Sequence, residues 1–184
     1  MLKTKYLLYK KLKVMADYKK LKPIVLKWEG GWSQDPRDKG NGTTGCTNSG
    51  VTLTTYRKYF GNNKVCSDLK KMTDNQWDTI FIQGYWNRWS GDKIKSQSIA
   101  NLLVDWVWMS GVYGIKYPQQ VLGVVADGAV GPKTIAAINN YPNQKELFEK
   151  LWNRRKKYFE ALGKSNPAFI KGWLRRLNDF KWVD

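Results

Sequence analysis

Two carboxylates stand close together in the most informative stretch of the chain, Trp28 to Thr52, which reads WEGGWSQDPRDKGNGTTGCTNSGVT. Glu29 closes an amphipathic helical pattern and is followed at once by Gly30 and Gly31, and Asp38 lies nine positions on, in a loop rich in Gly, Asn and Thr. Splitting a glycosidic bond needs one carboxylic acid to protonate the leaving oxygen, and a second polar group to place a water or to stabilise the charge that develops on the sugar. A carboxyl at a helix end beside tight glycines can be partly desolvated, which helps it keep the proton for general-acid work. A glutamate at a helix C-terminus is also opposed by the helix dipole, which points to a reason other than helix stability. The plainer alternative is a solvated glutamate at a helix end. For Asp38 the corresponding alternative is an Asx-turn that caps the loop. Asp35, before Pro36, reads as turn chemistry.

The elements that must hold these groups read mostly as helices. Leu21, Ile24, Val25 and Trp28 recur at helical spacing from Asp17, with Pro23 placed in the first turn and Gly30-Gly31 as the stop. Residues 32–52 form a loop with a short strand or hairpin near Gly50-Val51-Thr52. Thr54–Phe60 is a short helix, and Thr73-Asp-Asn-Gln76 is a capping box that opens a helix running to about Trp89. Residues 98–110 are apolar almost all round and predict the central buried helix. A short helix follows Pro118, Pro132 opens a helix over 132–139, and Asn143 opens a long helix to Leu162 with Gly163 as its C-cap. Asn166-Pro167 starts the last helix. A seam falls near residues 90–98.

Composition limits the chemistry. The 184 residues hold no histidine, which removes every Ser-His and Cys-His dyad, and only two cysteines, Cys46 and Cys66. These could pair across 20 residues or remain thiols. Thirty-two Lys and Arg against 15 Asp and Glu give +17, far beyond the magnitude of about 2–8 that solubility asks of a small domain. A polyanionic partner is indicated, either nucleic acid or the anionic bacterial envelope. No helix-turn-helix or zinc-finger pattern supports nucleic acid. The cluster Arg154-Arg155-Lys156-Lys157 reads as a solvated helix face, and Asp127-Gly128 as a turn rather than a calcium loop. Asp105, inside the most apolar helix, must bond to backbone or to an Arg, because an unpaired buried carboxylate is costly. Trp32, Tyr85, Trp86, Trp89, Trp106 and Trp108 are the residues whose rings could stack on a sugar, Trp106 being better explained as core. No apolar run is long enough to span a membrane, and residues 1–14 read as a disordered basic leader with no signal-peptide core.

Several ordered motifs carry a resemblance. Glu29-Gly-Gly-Trp32, Asp35-Pro36, Asp38-Lys-Gly40 and Thr47-Asn-Ser-Gly-Val-Thr52 resemble the signature of glycoside hydrolase family 108. The back half, through Leu103–Gly111, Gln120–Gly123, Asp127–Thr134 and Asn166–Arg176, is similar to the peptidoglycan-binding region that accompanies it. The resemblance implies a mostly α, lysozyme-like fold with a small β or irregular element near 33–52. It implies a phage-type, bacteriolytic N-acetylmuramidase region over 15–95 and a helical peptidoglycan-binding region over 96–184, which could pack as one globule. It places the essential glutamate on Glu29, the aspartate on Asp38 and the loop threonine on Thr47, with Trp32, Asn48, Tyr85 and Trp89 as substrate-binding residues. The chain departs from the signature at Lys39, where Pro is usual, and by about four extra residues, 41–44, so that counting from Asp38 selects Thr43 or Thr44 instead of Thr47. The implied partners are peptidoglycan glycan strands and the anionic envelope, with no metal or organic cofactor, no nucleic acid and a monomeric chain. Synthesis in the cytoplasm would be followed by release or transport to the wall by another system. A loop disabled by its insertion would leave a module that holds peptidoglycan without cutting it.

Overall fold

The computed structural model describes residues 15–34 and 45–184. The proposed leader, Asp38 and the candidates Thr43 and Thr44 lie outside the described residues. The chain is mostly α with one small sheet, as expected, and divides into two compact units. Among the described residues, those within Tyr18–Arg88 form one, and Trp89–Asp184 together with residues 15–17 forms the other.

In the first unit, α1 (Tyr18–Trp28) buries Leu21 and Val25. Its Pro23 sits in the second turn rather than the first. The proline is exposed, and it removes one backbone donor from the helix. Three two-residue strands follow, β1 (Trp32–Ser33), β2 (Thr47–Asn48) and β3 (Val51–Thr52), paired antiparallel in that order. Trp32 pairs with Asn48 and Ser33 with Thr47, while Thr47 also pairs with Thr52. The β2–β3 hairpin turns on Ser49 (φ 48°) and Gly50 (φ 78°), two positive φ values in succession, as a tight two-residue turn requires. Thr52 then caps α2 (Leu53–Phe60) by accepting from the Thr55 amide.

Cys46 and Cys66 form a disulfide, which ties the approach to β2 to the start of α3 (Cys66–Lys70). Thr73 and Gln76 form the expected capping box of α4 (Asp74–Phe81). That helix does not run on to Trp89 as the periodicity predicts. It passes into a π-helical turn over Ile82–Trp86 and then a 3₁₀ turn over Asn87–Trp89. Leu53, Leu69, Trp77, Ile80 and Phe81 join Leu21 and Val25 in the core of this unit.

The second unit is built on α5 (Gln97–Ser110), in which every residue from Ser98 to Val107 is buried. Ser96 caps it. The next helix, α6 (Tyr113–Leu122), contains Pro118 rather than following it. Gly114 makes this packing possible. A Cβ there would stand 2.5 Å from the Trp106 carbonyl carbon on α5, so only glycine lets the two backbones approach. The remaining helices are α7 (Pro132–Asn139), α8 (Gln144–Gly163), capped by Asn143, and α9 (Pro167–Leu177). Gly163 is the last residue of α8, not its left-handed cap. A Cβ at this position would meet Ile170 at 2.4 Å, so the glycine serves close packing of α9 on α8.

Candidate active site and its surroundings

Glu29 follows the last residue of α1, and its amide still donates to the Leu26 carbonyl at 3.3 Å, so the helix fixes its position. Its side chain is partly exposed. Gly30 and Gly31 have ordinary φ values, and a Cβ added at either would meet no atom within 4 Å. Neither backbone conformation nor packing among the described residues demands glycine here. The two glycines leave open space immediately after the carboxylate, which is where a ligand could approach the backbone closely.

Tyr85 shares this region. It stands on the π-helical turn, which re-aims one turn of a helix and recurs at functional sites. Burial holds its phenol above the ordinary tyrosine value; the neighbouring Tyr59 adds to the rise, Arg88 opposes it, and the Glu29 carboxylate adds to it again. Tyr85 therefore remains a neutral hydroxyl at neutral pH, and Glu29 is near enough for its charge to be felt there. Burial also raises Tyr59. The Tyr59 hydroxyl lies where a side chain at position 84 would be, 2.8 Å from a Cβ built on Gly84. Sequence reading found Tyr85 but not the π turn, Tyr59 or Arg88. The pair Gly84-Tyr85 inside an otherwise regular helical pattern was the available signal.

Thr47, the middle residue of the sheet, has its hydroxyl oxygen shielded from solvent and without a hydrogen-bond partner among the described residues. A shielded, unsatisfied hydroxyl costs stability, so its retention is informative. Trp32 stands on β1, partly exposed, with the Lys70 ammonium 5.7 Å from its ring centre. The Trp32 ring keeps a face that a ligand could engage, whereas the Thr47 hydroxyl is covered and would have to be uncovered to meet one.

Asn48 and Trp89, expected to bind substrate, are engaged within the protein. The Asn48 amide donates to the carbonyls of Leu69 (2.9 Å) and Lys70 (3.3 Å), and its oxygen accepts from the Ser49 hydroxyl. It is a brace between β2 and α3, with both ends of its amide engaged. Trp89 is fully buried and offers no face to a sugar; Trp86 and Trp106 are buried likewise.

Asp105 is an anchor, as expected of a carboxylate in an apolar helix. Arg155 donates to it at 2.6 Å and Arg176 through Nε at 3.1 Å, with Asp105 and Arg155 fully buried. Arg155 thus departs from the solvated face expected for residues 154–157. Burial lowers its pKa and the Asp105 carboxylate opposes that shift, while Arg176 adds to it. Its guanidinium also donates to the Leu102 carbonyl. Arg154 lies over the Tyr117 ring at 3.7 Å. Asp127 is a turn residue, accepting from the Ala129 amide at 2.8 Å and from Gln119 at 2.9 Å.

Comparison with known proteins gives matches to two family models and to a solved structure. Residues 23–111 match Glycosyl hydrolase 108 and residues 113–178 match a Predicted Peptidoglycan domain. The solved structure of Brucella abortus SagA is similar, with 28% sequence identity, a TM-score of 0.69, and coverage of 89% of this chain and 94% of that one. No curated protein matches the chain in sequence. Glu29, Trp32, Thr47 and Tyr85 all lie within the residues that match Glycosyl hydrolase 108, and the residues that match the Predicted Peptidoglycan domain follow directly.

Proposed function

We propose that the protein is an N-acetylmuramidase that hydrolyses the β-1,4 bond between N-acetylmuramic acid and N-acetylglucosamine. The observation that carries this reading is Glu29, held partly exposed at the end of α1 beside two glycines that neither backbone conformation nor packing among the described residues demands. In the proposed reaction Glu29 gives its proton to the departing glycosidic oxygen while positive charge develops on the sugar. Asp38 or the Thr47 hydroxyl places the attacking water or stabilises that charge. Trp32 supplies a stacking face, and the neutral Tyr85 hydroxyl supplies a hydrogen bond. No metal or organic cofactor enters this scheme.

The first region would cut and the second would hold the wall, with the chain acting as a monomer. The charge of +17 favours approach to an anionic envelope and would lose its effect as salt screens it. The Cys46–Cys66 disulfide suits an oxidising compartment, consistent with action at the wall after release or transport.

The test is digestion of purified sacculi followed by mass analysis of the soluble fragments. A muramidase leaves N-acetylmuramic acid at the reducing end. Fragments ending in reducing N-acetylglucosamine or in anhydro-muramic acid would contradict the bond assignment. Retention on sacculi with no fragments at all would leave a binding module in its place.

A further inference from the structure

A cavity of about 290 Å³ opens in the second unit between α8 and residues 180–182. Phe148, Glu149, Trp152 and Asn153 lie at helical spacing on one face of α8, and Lys181 and Trp182 close the opposite side. Two indoles line it and both are partly exposed. Trp152 is fixed by its ring N–H, which donates to the Leu177 carbonyl at 3.1 Å. Trp182 packs tilted against Phe148, with ring centres 5.9 Å apart. Glu149, Asn153 and Lys181 are exposed around these rings and make no side-chain hydrogen bond or ion pair among the described residues.

We infer that this cavity is a second saccharide site, binding one N-acetylated hexosamine of a glycan strand together with the carboxylate-bearing stem beside it. The identity of the ligand rests on the peptidoglycan reading above; the presence of a saccharide site does not. Ordered indole faces match the apolar face of a pyranose, and each indole keeps a preset orientation, so little ordering is lost on binding. The Glu149 carboxylate accepts from sugar hydroxyls. The Asn153 amide both donates to and accepts from the acetamido group. Lys181 meets the stem carboxylate. An anionic lipid surface or a nucleic acid fits less well, because Glu149 would face their phosphates.

The test uses the full chain carrying Glu29→Gln, so that ligands are not consumed. Chitotetraose and a soluble disaccharide-tetrapeptide are titrated into ¹⁵N-labelled protein, and retention on purified sacculi is measured for variants in the same background. The site predicts shifts at the backbone amides of residues 149, 153, 181 and 182 and at the indole N–H of Trp152. Trp182→Ala should lower retention about tenfold, and Trp182→Phe less, since a ring is kept. Lys181→Glu should weaken the tetrapeptide ligand more than chitotetraose. Glu149→Gln and Lys181→Glu, both at exposed positions, keep the test decisive if Trp182→Ala does not fold. Shifts confined to residues around Glu29, or wild-type retention in Trp182→Phe, Glu149→Gln and Lys181→Glu together, would overturn the site. If wild-type protein releases no fragments while these variants still lose retention, the muramidase reading fails and the site stands. If it releases fragments while they retain as wild type, the reverse holds.

Discussion

Asp105 and Glu29 are both carboxylates attached to apolar helices, and the molecule treats them in opposite ways. Asp105 sits in the middle of α5, fully buried, with a guanidinium on each oxygen. Glu29 sits one residue past the end of α1, partly exposed, with open space at the next two residues. The first arrangement uses charge to fix helices α5, α8 and α9 to one another and leaves no oxygen for a ligand. The second keeps a carboxyl reachable while a rigid helix holds it in place. Helix position separates the two, because mid-helix burial forces full pairing of a carboxylate and a helix end does not, which is what the proposed role of Glu29 needs.

The contrast can be broken at its structural pole first. Asp105→Asn leaves two buried guanidiniums facing a neutral group, and we expect a loss of about 3–5 kcal/mol in chemical denaturation, or failure to fold. A loss below about 1 kcal/mol would contradict the anchor role. Next in size is the disulfide. Cys46→Ser opens a link across 20 residues, and a loss of about 3 kcal/mol is expected, equal to that of the wild type under reducing conditions.

Thr47→Val sharpens the functional pole. The hydroxyl has no partner among the described residues, so its removal should leave the melting temperature unchanged or slightly raised, while turnover on sacculi falls at least about tenfold. Unchanged turnover with lower stability would make Thr47 structural. The smallest effect concerns Asp127, whose pKa is lowered by the Ala129 amide and by Gln119. A depressed folded pKa means its contribution is present above the unfolded value of about 3.9 and is lost as pH falls through the folded one. The melting-temperature gap between wild type and Asp127→Asn should therefore be open at pH 6 and close in strong acid. A gap constant with pH would refute the pairing.

Local signals made much of this legible from sequence. Capping chemistry located α4 and α8, the apolar run located α5, and a carboxylate amid Leu, Val and Trp had to be paired. The partners of Asp105 were not legible, because Arg155 and Arg176 stand 50 and 71 residues away, and Arg155 hides within a basic run whose neighbours are solvated. The same limit applies at the candidate site. Glu29 was found because a helix end and two glycines are adjacent in the chain. The bracing bonds of Asn48 were not legible because they are tertiary, nor was the burial of Trp89, because aromatic content does not reveal which rings are covered. The π turn under Tyr85 has no periodic signature.

The central claim is that Glu29 supplies the proton for glycosidic cleavage, and the Glu29→Gln variant tests it most directly. Release of reducing-end fragments from purified sacculi, sacculus retention and melting temperature should be measured on the same preparation. The account predicts at least about a hundredfold loss of release, with retention and melting temperature as in the wild type. Release at the wild-type rate by a folded Glu29→Gln protein would contradict it.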